Sequence, residues 1–115
     1  MTEVSFKKKL TDNRKIIVMI KERQFEWDEN QRQTNIVKHG IDFLDVQKMF
    51  NQWNLESIDK KQNYDELRYN AIGLMDGRVV VVSYTYRNHW QTTRIISARK
   101  ATKHESGLYY RRFPH

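Results

Sequence analysis

The sequence predicts an α+β fold in which helices pack against one face of a mainly antiparallel sheet. This prediction rests on the order of the periodic segments, which runs strand, helix, helix, strand, three hairpin-linked strands and helix. A Rossmann-type sheet would need repeated βαβ units, and this order does not supply them. The length of 115 residues suits one domain, and 38% hydrophobic residues suffice for a core.

The first part of this order comes from one strand signal and two helix signals. Residues 25–27 (Phe-Glu-Trp) alternate apolar and polar, which favours a short strand. A helix is expected from about Asp28 to His39, because an aspartate caps the free N–H groups at a helix start. Gly40 follows as the residue that takes a left-handed conformation at a helix end. Asp42 is expected to cap a second helix.

The second half of the sequence is strand-like. Further strands are expected at residues 53–58, 67–75, 79–86 and 92–97, with a charged loop at 59–66. Asp76 and Gly77 are the preferred pair for a two-residue turn in which both φ angles are positive. Thr102 and Glu105 have the spacing of a capping box, which predicts a C-terminal helix.

Charge is distributed unevenly along the chain, whose net charge is +7. Residues 1–24 carry seven basic and three acidic side chains. Residues 25–66 carry five basic and nine acidic side chains, and residues 67–115 carry nine basic and two acidic ones. A basic surface formed by the last part would attract a polyanion such as nucleic acid. The alternative is ordinary solvated charge.

Several classes of protein are disfavoured by what the sequence lacks. Without cysteine there is no disulfide, no thiolate zinc site and no cysteine nucleophile. No apolar run approaches the roughly 18 residues of a membrane helix, and the run at 16–20 is too short for a signal peptide. We therefore expect a cytoplasmic protein without a membrane partner. The glycines are too dispersed for a phosphate-binding loop and the four histidines lack metal-ligand spacing, so we expect no cofactor and no metal.

The remaining chemistry favours RNA. Arginine matches phosphate because its planar fork donates two parallel hydrogen bonds. Several arginines around one phosphodiester would stabilise the extra negative charge of a pentavalent transition state. RNA also carries its own nucleophile, the 2′-hydroxyl, so that a protein without a metal can cleave it by positioning and charge stabilisation.

This chemistry suggests candidate site residues, and each of them also has a purely structural interpretation. His39 either caps a helix end or transfers protons. Arg68 and Arg94 lie on predicted strands, where each either forms a cross-strand pair or contacts phosphate. Arg99 follows a buried-looking strand segment and is expected to be the best single phosphate ligand. Trp90 lies in a polar loop, where it is expected to be exposed and able to stack on bases.

Several blocks of the sequence resemble the BrnT toxins of type II toxin–antitoxin systems. The resemblance runs from about Phe25 to Tyr110, and its most specific blocks are Phe25-Glu26-Trp27-Asp28, Lys38-His39-Gly40 and Arg94-Ile95-Ile96-Ser97-Ala98-Arg99. It implies a RelE-like fold and a ribonuclease toxin that halts translation. It also implies neutralisation by a BrnA-type ribbon-helix-helix antitoxin, in a complex that represses its own promoter, so that operator DNA is contacted only through the antitoxin.

The resemblance also implies which residues bind and cleave RNA. Carried over by position, they are Lys38, His39, Arg68, Arg87, Arg94, Ser97, Arg99 and Tyr109. Our interpretation is that His39 transfers a proton and that Arg68 and Arg99 bind phosphate, with Lys38 as the fourth catalytic residue. The other four residues and Trp90 are then RNA-binding. Two alternatives stay open: a non-catalytic nucleic-acid-binding or autorepressor module, and a decayed toxin or scaffold that only binds its antitoxin.

The first 24 residues depart from the family pattern, which usually starts just before the Phe-Glu-Trp-Asp block. We divide the chain into a basic N-terminal extension, residues 1–24, and a BrnT-like toxin domain, residues 25–115. Met19 lies six residues ahead of Phe25, where such a start would fall. Residues 1–18 are therefore predicted to lie upstream of the true start, and the alternative is a genuine extra strand or basic arm.

Overall fold

In the computed structural model, the described residues form one sheet of seven strands with three helices packed on it. The structure describes residues 6–10, 15–20, 23–60 and 66–115, and side chains from Gln24 onward within these ranges. The predicted charged loop at 59–66 therefore lies partly outside the described residues, because residues 61–65 are not among them.

The elements follow the predicted order from Phe25 onward. The strands are β1 (Phe6–Leu10), β2 (Lys15–Ile20), β3 (Arg23–Asp28), β4 (Asn54–Ile58), β5 (Tyr69–Met75), β6 (Arg78–Arg87) and β7 (Thr92–Lys100). The helices are α1 (Glu29–His39), α2 (Phe43–Phe50) and α3 (Lys103–Arg112). In the described part of the chain, none of them has the length and apolar character needed to cross a membrane.

The sheet is mostly antiparallel, as predicted, and its strand order is β1-β2-β3-β7-β6-β5-β4. The exception is the pair β3 and β7, which run parallel over three residue pairs, from Gln24 opposite Thr92 to Glu26 opposite Arg94. The strands β3, β7, β6, β5 and β4 belong to the predicted toxin domain, except for the first two residues of β3. The β1–β2 hairpin extends the sheet beyond β3.

The predicted helix ends are confirmed by their hydrogen bonds. The Asp28 carboxylate accepts from backbone N–H groups at the start of α1, and Gly40 ends that helix with φ of 67°. Asp42 caps α2 in the same way as Asp28 caps α1. The Thr102 hydroxyl accepts from the Glu105 N–H while the Glu105 carboxylate accepts from the Thr102 N–H, which completes a capping box.

Both hairpins of the second half show local backbone features. The β5–β6 turn passes through Asp76 (φ 51°) and Gly77 (φ 81°), as predicted. The register of β6 on β7 shifts between Ser83 and Tyr84, so that Ile96 is an extra residue on β7. Such a bulge bends the strand that carries it.

Helices cover both faces of the sheet, which corrects the expectation that they pack on one face only. The physical reason lies in β6, where Val79, Val80, Val81 and Val82 are all buried although neighbouring side chains point to opposite faces. Val80 and Val82 belong to the core cluster that includes the buried side chains of α2, whereas Val79 and Val81 pack with Tyr109 of α3. A run of four buried valines therefore marks a strand with a helix layer on each side.

We predict that Gly73→Ala destabilises the fold by about 1–3 kcal/mol. Gly73 lies on β5, and a Cβ added there would come within 2.5 Å of Met49 Cγ and 2.6 Å of Met49 Sδ. Met49 is fully buried on α2, so it has little room to move away. Urea denaturation measures the change. In a Met49→Ala background the same substitution should cost much less, and additive costs would contradict a steric cause.

Candidate functional site

The sheet face on which α3 packs is apolar beneath the helix and polar beyond it. Along β6, Val79 and Val81 meet α3, whereas the following side chains on this face are Ser83, Thr85 and Arg87. Strand register adds their neighbours. We call this area the polar face, and its side chains are Glu26, Arg68, Asn70, Ser83, Thr85, Arg87, Arg94, Ser97 and Arg99.

A buried carboxylate lies between two of the arginines. Glu26 is only 2% exposed, and its Oε1 is 3.5 Å from Arg94 Nη1 and 3.9 Å from Arg87 Nε. Arg87 Nη2 also contacts Glu66 Oε1 at 3.3 Å. These acids hold the two guanidinium groups close together, because each offsets part of their mutual repulsion. Sequence reasoning missed Glu26, although an acid between two core aromatics, Phe25 and Trp27, was a usable signal.

Arg99 makes the tightest ion pair of the polar face. Its Nη1 and Nη2 donate to the two carboxylate oxygens of Glu105 at 2.7 and 2.9 Å. Because of this hydrogen bonding, the pKa of Glu105 falls from 4.5 to about 2, and the pKa of Arg99 is raised. The guanidinium group of Arg99, which was expected to bind phosphate, thus already binds the Glu105 carboxylate and connects the start of α3 to β7.

A second feature is the α1–β7 hollow, a cavity of about 300 Å³ between the helix and the edge of β7. It is lined by Asn30, Gln31, Thr34, Asn35, Lys38, His39, Ile96 and Ser97. The hollow exists because β3 pairs with β7 only as far as Arg94, so that beyond this residue the edge of β7 faces α1. Sequence reasoning did not select Asn30, Gln31 or Thr34 as site residues.

The buried side chain of Asn35 joins the two walls of the hollow. Its Nδ2 donates to the carbonyl oxygens of Ile41 (2.8 Å) and Ala98 (2.9 Å), and its Oδ1 accepts from the Ala98 N–H (3.0 Å). The corner after α1 is held by Arg32, which binds the Asp42 carboxylate through Nε at 2.7 Å and Nη2 at 2.9 Å. This hydrogen bonding raises the pKa of Arg32. The last turn of α1 is therefore fixed against β7.

The structure brings three of the nine predicted site residues into this hollow. Lys38 and His39 are exposed on the last turn of α1, and Ser97 is half-buried on β7. Ser97 also belongs to the polar face, which links the hollow to the arginines. Arg94 lies three residues before Ser97 on the same strand and pairs with Thr85 of β6, whose hydroxyl donates to the carbonyl oxygen of Leu67, the residue before Arg68. Neither Arg68 nor Arg99 lines the hollow.

The two aromatic candidates occupy opposite environments. Tyr109 is 1% exposed and packs against Trp53, with ring centroids 5.3 Å apart, and its burial raises the pKa of the phenol. Its ring offers no face to a base in this conformation. Trp90 is 64% exposed at the β6–β7 connection, as expected for a residue of a polar loop.

The acidic and histidine side chains of the described residues do not converge on a metal site. In the ranges with described side chains, no three His, Asp or Glu groups are arranged to hold a metal ion. The positive groups of the site are instead Lys38 and the arginines of the polar face.

Fold and site together define a small basic α+β domain in which an arginine-bearing sheet face adjoins a polar hollow, an arrangement suited to a polyanion. The family model described as "Ribonuclease toxin, BrnT, of type II toxin-antitoxin system" matches residues 27–105, more than half of the chain. The chain therefore belongs to the BrnT family of ribonuclease toxins, whose members have RNA as substrate and a protein antitoxin as partner. A search of curated proteins gave no match.

We predict that Glu105→Gln lowers the free energy of unfolding by about 1–2 kcal/mol at pH 7. A carboxylate whose pKa is lowered by folding stabilises the native state above its unfolded pKa of 4.5, and this contribution disappears as the pH falls through about 2. Glutamine keeps an oxygen for the Thr102 N–H, so the capping box survives.

Urea denaturation at pH 7 and at pH 3 measures this effect. The difference in stability between wild type and Glu105→Gln should shrink at pH 3, where Glu105 is almost fully protonated in the unfolded chain but still mostly ionised in the folded one. An equal difference at both pH values would show that the ion pair with Arg99 is not its cause.

Proposed function

We propose that the protein is a metal-independent endoribonuclease toxin that inhibits translation by cleaving RNA at the α1–β7 hollow. The observation that supports this most is the convergence of Lys38, His39 and Ser97 on one hollow that opens onto the polar face. A proton-transfer group, a cation and a hydroxyl thus lie beside a surface able to bind phosphate.

The proposed reaction uses the nucleophile that RNA carries. His39 accepts the proton of the 2′-hydroxyl, and the 2′-oxygen attacks the adjacent phosphorus. The bond from phosphorus to the 5′-oxygen breaks, and this oxygen leaves with a proton from an acid or from water. The products are a 2′,3′-cyclic phosphate and a free 5′-hydroxyl. Lys38 stabilises the negative charge of the pentavalent transition state.

The arginines divide into two groups in this proposal. Arg94 and Arg68 bind the phosphates next to the scissile bond, with Arg87, Trp90 and Ser97 as further RNA contacts. Arg94 has one ion-pair contact at 3.5 Å with Glu26, whereas both Nη atoms of Arg99 are bound by Glu105 at 2.7 and 2.9 Å. Arg99 therefore serves chiefly to anchor α3 and contributes its positive charge at a distance.

The biological setting is also part of the proposal. The toxin acts in the cytoplasm and is neutralised by a BrnA-like ribbon-helix-helix antitoxin, through which the complex reaches operator DNA. Residues 25–115 form the toxin domain, in line with the family match to residues 27–105, and residues 1–24 are a basic extension. A RelE-like relationship of the fold belongs to the same proposal. Co-expression with the product of the neighbouring reading frame should restore growth if that product is the antitoxin.

We predict that His39→Ala lowers kcat for RNA cleavage about 10²- to 10⁴-fold, because it removes the proton acceptor, while RNA affinity changes little. Arg94→Ala should instead weaken RNA binding and cleavage together. The matched control is Arg78→Ala, which removes an exposed arginine at the turn end of β6 and should keep wild-type activity. Cleavage is measured with EDTA present, on an RNA and on the same strand with 2′-deoxy substitution at the cut site.

Two results would reject this function. Cleavage of the 2′-deoxy strand would exclude the 2′-hydroxyl as nucleophile. Salt-dependent RNA binding without products, identical in wild type and His39→Ala, would indicate a non-catalytic binding module instead.

A further inference from the structure

A separate hollow of about 280 Å³ lies at the β6–β7 connection, away from α1. We call it the Trp90 hollow, and its principal lining residues are Leu67, Tyr69, Tyr86, Arg87 and Trp90. Its apolar surface is exposed, since Trp90 is 64% and Leu67 is 61% exposed. Arg87 lines the same hollow and supplies a positive charge.

The indole ring of Trp90 is held as a platform. Its centroid lies 4.6 Å from the ring of Tyr86 and 5.7 Å from that of Tyr69. Tyr69 is 7% exposed and stacks in turn on the buried Tyr84, so the support beneath Trp90 is continuous with the core. One side of the indole is packed and the rest is presented to solvent.

The backbone holds Trp90 outward in a conformation that costs free energy. Asn88, His89 and Trp90 have successive φ angles of 54°, 55° and 73°. Asparagine and histidine tolerate this left-handed region better than most residues, but a tryptophan there is an outlier. The turn is stabilised by the Asn88 side chain, whose Nδ2 donates to Thr92 Oγ1 at 2.9 Å. Strain of this kind, held in place by neighbours, is typical of functional sites.

The charge beside the platform favours a nucleotide over a cationic ligand. Arg87 is held at the hollow by Glu66 at 3.3 Å and by the buried Glu26 at 3.9 Å. Its side chain is 42% exposed, which leaves it able to contact a phosphate. An aromatic face next to an arginine is the usual arrangement for an unpaired base and its backbone.

We propose that the Trp90 hollow binds one unpaired nucleobase of the RNA, flanking the cleaved bond. This inference rests on the proposed function and adds a subsite to it. Thr92 pairs with Arg87 and Ser97 pairs with Ser83, four residues away along β6, a distance of roughly 13–14 Å. The base stacked on Trp90 is therefore not at the scissile phosphodiester, and Trp90 contributes to affinity rather than to the chemical step.

The experiment compares variants on a short RNA that the wild type cleaves. Trp90→Ala should raise KM about 5- to 150-fold, the usual effect of removing one stacking partner, with kcat within about two- to threefold. Trp90→Phe should restore most of the affinity, since it keeps an aromatic face. The matched control is Tyr110→Ala, which removes an exposed ring on α3 and should leave KM unchanged.

An abasic scan of the same RNA makes the test specific. Removing the stacked base should raise the wild-type KM by about the factor seen for Trp90→Ala, and should have little further effect on that variant. Additive effects at every position would overturn the inference while leaving the nuclease function intact. So would a Trp90→Ala variant that binds RNA normally and loses only its antitoxin, because the hollow would then dock a protein. Absence of cleavage by the wild type would reject the nuclease and this subsite together.

Discussion

The side chain of Asn35 makes the backbone hydrogen bonds that a neighbouring strand would otherwise make to β7, and the geometry of the site depends on this interaction. The parallel pairing of β3 with β7 ends at Arg94. Four residues further along the same edge of β7, the backbone of Ala98 hydrogen-bonds to a side chain instead of to a strand. Asn35 accepts from its N–H and donates to its carbonyl oxygen, and being buried it does so without competition from water. The α1 helix can therefore replace the strand along β7, and this replacement leaves the hollow that Lys38, His39 and Ser97 share.

The ends of α1 are determined by local sequence, and this part of the fold was predictable. Asp28 and Asp42 cap their helices through their own neighbours, and Gly40 supplies the left-handed residue that sets the corner. Such interactions span a few residues, so a single sequence carries them in full. The placement of Lys38 and His39 on the last turn of a helix followed from the same signals.

The rest of the site depends on pairs that are distant in sequence, which a local pattern does not reveal. The parallel contact of β3 with β7 joins segments almost seventy residues apart, and nothing near Asn35 indicates that its partner is Ala98. Tyr109 also illustrates this limit. An aromatic residue on a short polar helix can face RNA or the core, and the outcome depends on the residues of the sheet face on which the helix packs. In the structure it packs into the second core cluster, with Val79 and Val81.

The acidic partners of the arginines determine which of them is prepared for a phosphate. Glu26 is buried, so its charge cannot be stabilised by water, and Arg94 and Arg87 are expected to stay near it before any RNA arrives. A phosphate that approaches them meets guanidinium groups already in position, which lowers the ordering cost of binding. Arg99 would first have to release Glu105 from two short hydrogen bonds, and would thereby disturb the capping of α3. In the proposed function, Arg94 is thus the better prepared phosphate ligand although it contacts a buried acid, whereas Arg99 at the end of its strand is bound more firmly, by Glu105.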